Sequence, residues 1–352
     1  MTTWADAHTR AATMAAELHS DLDIELDRPV DVFAAIEQLG LILAFAPLGK
    51  VSGLYLPGHP SAGILLHEGH PRTRQRYTAG HELGHHVFEH AAEVDVDLEG
   101  SLRRGDVERW PNHEKEAEAF GAWFLMPRRL LRCGLGELGL DRPSDAYDVY
   151  ALSLWLGTSY TATARQLATT RIIGQPEADA WARIAPRDLK QALAGELVPD
   201  DLHNDVWWLD ANHNRQPVDA RPGDRVVLTL DEIPASGVSW RFTALPEQVR
   251  VLADSYEDDW EPRPRSVAAN LGADRLDGEE LVGGGHPRSF VLEVSPEAHR
   301  EVTHLALVKD EPWDPGPPSG EFEVSLSINP RLHGIQLAEE ELVLAAQGPD
   351  AP

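Results

Sequence analysis

The chain has 352 residues, with 58 acidic against 31 basic side chains and a formal charge of −27. A surface of that sign repels phosphate, which sets aside nucleic acid and anionic membrane as primary partners. A lone cysteine, Cys133, excludes an intrachain disulfide, no run approaches the ~18 apolar residues of a membrane span, and the N-terminus lacks an apolar signal core. The expectation is a soluble cytoplasmic protein.

Residues 4–19 and 30–39 carry helical periodicity, with Pro29 near the start of the second helix and Gly40 at its end. Short apolar runs at Leu41–Ala46, Ser52–Leu56 and Gly63–Leu66, separated by Gly and Pro, predict a small antiparallel sheet. A helix is predicted over 72–90 and another over 113–126, stopped by Pro127. Helices continue through 128–196. From Val206 the pattern changes to alternation, in runs such as Arg225–Leu230, Ser289–Val294, His304–Val308 and Glu321–Ile328, which predicts an antiparallel sandwich. The fold class expected is α+β, divided into 1–130, a helical subdomain 131–200, an all-β sandwich 205–335 and a tail 336–352.

Residues 81–85 read His-Glu-Leu-Gly-His. Two histidines four apart on a helix face one way and can share one metal ion, and the glutamate between them can take a proton from water on that ion. A hydrolytic zinc site needs a third ligand and one open position. The stretch Glu114-Lys115-Glu116-Ala117-Glu118 offers it. Glu116 is the expected ligand, on a helix whose apolar face (Phe120, Phe124, Leu125) packs against the first. Glu114 and Glu118 are the rivals, and each would face away if Glu116 faces in. The site expected is therefore His81, His85 and Glu116 around one Zn²⁺, with Glu82 as general base.

The run Arg74–His86 resembles the ImmA/IrrE family of metallopeptidases, as does Glu116-Ala117-Glu118-Ala119-Phe120-Gly121-Ala122-Trp123-Phe124-Leu125-Met126-Pro127. That family usually carries Asn at the position of Glu118 and Ala at that of Gly121. The resemblance extends over roughly residues 5–175. It implies a gluzincin-like minimal peptidase followed by helices, a third metal ligand at Glu116, and cleavage of a cytoplasmic protein, a DNA-binding helix-turn-helix repressor, in transcriptional or stress control.

Beyond residue 205 three segments resemble the loops of chagasin-type cysteine-peptidase inhibitors, which have an immunoglobulin-like fold. They are Ile233-Pro234-Ala235-Ser236-Gly237-Val238-Ser239-Trp240, Gly283-Gly284-Gly285-His286, and Glu311-Pro312-Trp313. The resemblance implies protein-binding loops at Gly237, Gly284 and Trp313, with a cysteine peptidase as an alternative partner. The sequence departs from the inhibitor pattern at Ile233, Val238, His286 and Glu311. Trp240 is expected in the core and Trp313 on a surface.

Overall fold

The computed structural model describes residues 3–58, 62–91, 110–232, 237–256, 286–311, 313 and 316–336. They fall into two compact units that interleave along the chain. One draws on Met1–Gly134, Leu156–Ile172 and Arg331–Pro352, the other on Leu135–Trp155 and Ile173–Pro330.

In the first unit, α1 (Trp4–Asp21) begins at a capping box in which Thr3 and Asp6 satisfy each other's backbone N–H. Its stripe of Ala7, Ala11, Ala15 and Leu18 is buried. Asp31 caps α2 (Val32–Gln38) by accepting from Phe33 N and Ala34 N. Three strands follow: β1 (Ile42–Ala46), β2 (Gly53–Leu56) and β3 (Gly63–His67). Next come α3 (Arg72–Val87), α4 (Asn112–Leu125), α5 (Arg128–Glu137), whose last turn counts with the second unit, and α7 (Tyr160–Thr169), capped by the Ser159 hydroxyl.

The expected antiparallel sheet is in fact mixed. β2 pairs antiparallel with β3, but β1 lies parallel to β3, because β2 sits on the far side of β3 instead of between them. A fourth strand, β12 (Gly334–Gln336), pairs antiparallel with β1, giving the order β12-β1-β3-β2. Residues 334–336 thus belong to this sheet, while 337–352 lie outside the described residues.

Two buried side chains tie distant segments to α3 and α4. Arg76 donates to the carbonyls of Val30 (2.8 Å), Gly157 (3.1 Å) and Leu156 (3.3 Å). Gln166 Nε2 on α7 donates to the Met126 carbonyl (3.2 Å). The Leu156, Gly157 and Met126 carbonyls stand at helix C-termini, where they have no partner within their own helix.

The second unit contains a sandwich of two four-stranded sheets. One has the order β5-β11-β10-β7, from β5 (Pro217–Ala220), β7 (Ser239–Ala244), β10 (Glu301–Asp310) and β11 (Gly320–Ile328). The other runs β4-β6-β9-β8, from β4 (Val206–Leu209), β6 (Arg225–Glu232), β8 (Val249–Tyr256) and β9 (His286–Val294). The alternation along β6, β9 and β11 buries Leu228, Phe290, Leu292, Phe322, Val324 and Leu326 in one core shared by both faces. The central pairs are antiparallel as expected, but β4 and β5 join their sheets in parallel. The helices of this unit include α6 (Ala146–Leu156), α8 (Gln175–Trp181) and α9 (Pro186–Ala194). A buried polar network holds α6 and α9 to the sandwich: Tyr150 Oη donates to Asp205 (3.2 Å), and Lys190 Nζ pairs with the same carboxylate (2.8 Å).

Candidate metal centre

Helices α3 and α4 cross closely at Gly80, Gly84 and Gly121. A Cβ on Gly84 would meet Ala117 Cα at 2.9 Å, and one on Gly121 would meet His81 N at 3.0 Å. Gly80 faces Gly121 in the same way, at 3.3 Å. This close crossing brings the two histidines of α3 against the acidic first turn of α4.

Three groups converge there: His81, His85 and Glu114. The Nε2 atoms of His81 and His85 are 3.1 Å apart. Glu114 carboxylate oxygens lie 3.3 Å from His81 Nε2 and 3.6 Å from His85 Nε2. Bonds of about 2.0–2.2 Å at tetrahedral angles set ligand atoms roughly 3.3–3.6 Å apart, so this donor set fits a zinc-sized ion, with one position left open among the described residues. Glu116, expected as the third ligand, is not in the cluster. It lies about 200° around the helix from Glu114, whereas Glu118 returns to within about 40° of it. Glu116 pairs instead with Arg10 of α1 and with His90 Nε2 (3.3 Å).

Glu118, one turn beyond Glu114, takes the outer nitrogen of His81: its Oε2 is 3.3 Å from His81 Nδ1. Its other oxygen accepts from Tyr77 Oη (2.9 Å). A carboxylate on the far nitrogen fixes which nitrogen faces the metal. The sequence signal for Glu114 and Glu118 was their spacing of four, which matches that of the two histidines.

Glu82 is buried on α3, beside the described edge strand β2. Its Oε1 lies 3.1 Å from where a Cβ on Gly53 would stand, and Thr78 makes the same glycine necessary. Tyr55, also on β2, is hydrogen bonded to His86 Nδ1 (3.0 Å).

Burial works against charge on His81, but the carboxylates of Glu114 and Glu118 outweigh it and hold His81 well above the ordinary imidazole range. His85 is pushed down to about 3, by burial and then by the His81 charge. Burial opposes ionisation of Glu114, yet the His81 bond and charge lower it to about 2. At pH 7 the metal-free site therefore holds one extra proton, on His81, and an ion must displace it. Zinc binding at pH 7 is expected to release about one proton, measured by titration calorimetry in two buffers of different ionisation enthalpy. The release falls away once the pH exceeds the raised value of His81. Zinc uptake without proton release at pH 7 would contradict this assignment.

Residues 36–134 match the Peptidase M78 family, the IrrE N-terminal-like domain. The matched stretch runs from α2 through α4 and so contains His81, Glu82, His85 and Glu114. No curated protein matches the chain. Among solved structures, the chain is similar to the cysteine protease inhibitor EhICP2 from Entamoeba histolytica, at 19% identity and a TM-score of 0.27, over 36% of this chain and 98% of that one. It is also similar to Amebosin, at 14% identity and a TM-score of 0.24, again over 36% and 98%.

Of the loop residues singled out in the sequence, Gly237 and Trp313 are brought together. Gly237 has φ +75°, and a Cβ there would stand 2.9 Å from Trp313 Cζ3. Trp313 is 58% exposed. Trp240 packs against the sandwich core and donates through Nε1 to the Asp231 carbonyl (3.0 Å). Gly284 lies outside the described residues. Among the described residues no helix is long and apolar enough to cross a membrane.

Proposed function

We propose that the chain is a zinc-dependent endopeptidase of the cytoplasm, of gluzincin type. His81, His85 and Glu114 hold the ion and Glu82 serves as general base. The observation that carries this reading is the convergence of the two histidines and Glu114 at ligand spacing, with Glu82 on the same helix beside an edge strand. Zinc would supply a Lewis acid that acidifies water to a pKa of about 7 and polarises a carbonyl. Glu82 takes the proton of the attacking water and returns it to the leaving amine. Glu118 and Tyr77 keep His81 turned toward the ion. Among the described residues no strand pairs with the outer edge of β2, whose main-chain groups offer a line along which an extended peptide can lie.

The substrate we favour is a DNA-binding helix-turn-helix repressor, with the sandwich selecting or restraining it. The Glu82→Gln protein is expected to keep one zinc per chain and to cut about 10²–10⁴-fold more slowly. It should therefore retain on an affinity column a cytoplasmic protein that the wild type cleaves, and mass spectrometry would name it. Cleavage at the wild-type rate by Glu82→Gln would remove the proposed base.

A second reading, capture of a cysteine peptidase by the sandwich, draws on one observation: the exposed Trp313 ring lying on Gly237. It predicts that Trp313→Ala releases a cysteine peptidase held by the full chain, and retention by that variant would dismiss it.

A further inference from the structure

His85, like His81, needs a partner on its outer nitrogen, and the one it has is of a different kind. Helix α3 ends at Val87. The chain then turns back through Glu89 at φ +55°, with Glu89 N donating to the His86 carbonyl (3.0 Å) and His90 N to the His85 carbonyl (2.9 Å). This double bond pattern is the Schellman ending of a helix. It folds His90 over His85, with their Nδ1 atoms 3.0 Å apart. His90 Nε2 then meets Glu116 Oε2 at 3.3 Å, and the other Glu116 oxygen pairs with Arg10. The Arg10 guanidinium also lies over the Phe88 ring, 5.2 Å from its centroid.

Two nitrogens at 3.0 Å cannot both carry a proton, so one Nδ1 donates and the other accepts. If His90 Nδ1 were the donor, a neutral His90 would turn the lone pair of Nε2 toward the Glu116 carboxylate, which can only accept. That arrangement is repulsive. The opposite one satisfies every group: Glu116 accepts from His90 Nε2–H, His90 Nδ1 accepts from His85 Nδ1–H, and His85 Nε2 is left as a lone pair facing His81 and Glu114. Among the described residues the Phe88 ring stacks on His90, 5.6 Å between centroids, and two further titratable groups face the rings: His113, whose ring centroid is 5.7 Å from that of His90 and 6.1 Å from that of His85, and Glu114 on the metal side. Neither interrupts the chain of contacts.

We infer that Arg10, Glu116 and His90 form a positioning relay that locks His85 in the tautomer a metal ion requires. The inference rests on the zinc reading above and assigns roles to three residues outside the ligand set. Arg10 holds the Glu116 carboxylate, Glu116 fixes the His90 proton, and His90 fixes that of His85. Outer contacts of this kind typically govern metal affinity by about 10–100-fold.

The test uses the full chain. Zinc affinity is measured by competition with a chromophoric chelator, the cobalt(II) form is examined by visible absorption, and the metal-free proteins are compared by thermal melting. His90→Phe keeps a ring but removes the acceptor, and is expected to weaken zinc binding about 10–100-fold and to shift the cobalt bands. His90→Asn restores an acceptor near the old Nδ1 position and should recover affinity to within about fivefold of wild type. Glu116→Gln, which changes no volume, is expected to weaken zinc roughly tenfold, and it keeps the test decisive should metal-free His90→Phe melt early. Wild-type affinity in both His90→Phe and Glu116→Gln overturns the relay, and so does a His90→Asn protein as weak as a well-folded His90→Phe. A wild-type chain that takes up no zinc overturns the zinc reading itself, which separates the two failures.

Discussion

The Glu114→Ala protein is expected to bind zinc roughly 10³-fold more weakly than the wild type and to lose hydrolysis with it. Structural zinc sites bind with about 10–16 kcal/mol shared among four ligands, so one ligand accounts for about 2.5–4 kcal/mol, up to about 10³-fold. Glu114 has a larger share than its charge alone implies, because it is the carboxylate placed against both Nε2 atoms, at 3.3 and 3.6 Å. Its removal also takes away one of the two carboxylates that hold His81 protonated in the metal-free state. Less proton is then displaced on binding, which offsets part of the loss but not most of it. Chelator competition on Glu114→Ala and Glu116→Ala side by side checks the assignment. A greater loss from Glu116→Ala than from Glu114→Ala would restore Glu116 as the ligand.

Glu116 is the ligand expected from the sequence, whereas in the structure Glu114 stands beside the two histidines. The two helices of the candidate site were legible, α3 from its His-x-x-x-His face and α4 from Phe120, Phe124 and Leu125, with Pro127 marking the end. What one helix presents to another depends on the crossing, and no local pattern states it. The apolar face of α4 is wide, and both Glu114 and Glu116 border it. The crossing is set by Gly80, Gly84 and Gly121, which carry no pattern signal of their own. Once they are in contact, Glu114 and Glu118 line up with His81, and Glu116 turns to α1.

The same limit explains the sheet. Leu41–Ala46 and Gly63–Leu66 read clearly as strands, but the parallel pairing of β1 with β3 follows from β2 lying outside them. Three residues near position 335 then join β1 from almost 300 residues away. Alternation names a strand without naming its neighbour. The interleaving of Leu156–Ile172 into the first unit is equally non-local, since it depends on Arg76 and Gln166 reaching carbonyls far along the chain. In the sandwich, alternation sufficed for the central strands. The edge strands β4 and β5 follow helices and turns, and their parallel attachment was not legible.

If the glycine crossing sets the site, then Gly84→Ala should damage metal binding without touching a ligand. The added methyl would stand 2.9 Å from Ala117 Cα and 3.1 Å from Ala117 O, both backbone atoms that cannot rotate away. The helices must separate, and overpacking of this kind costs about 1–3 kcal/mol. Gly84 lies between His81 and His85 on α3, and Ala117 between Glu114 and Glu118 on α4. The separation therefore lengthens the very distances that suit a zinc-sized ion. Metal-free Gly84→Ala is expected to melt several degrees below wild type and to bind zinc at least tenfold more weakly, since spacing errors well under an ångström matter for a tetrahedral site. Gly136→Ala is the control: its Cβ would meet nothing within 4 Å. Alanine there gains up to about 1 kcal/mol of helix propensity and should leave zinc affinity unchanged. Equal zinc affinity in the two variants would mean that the α3–α4 distance does not set the site.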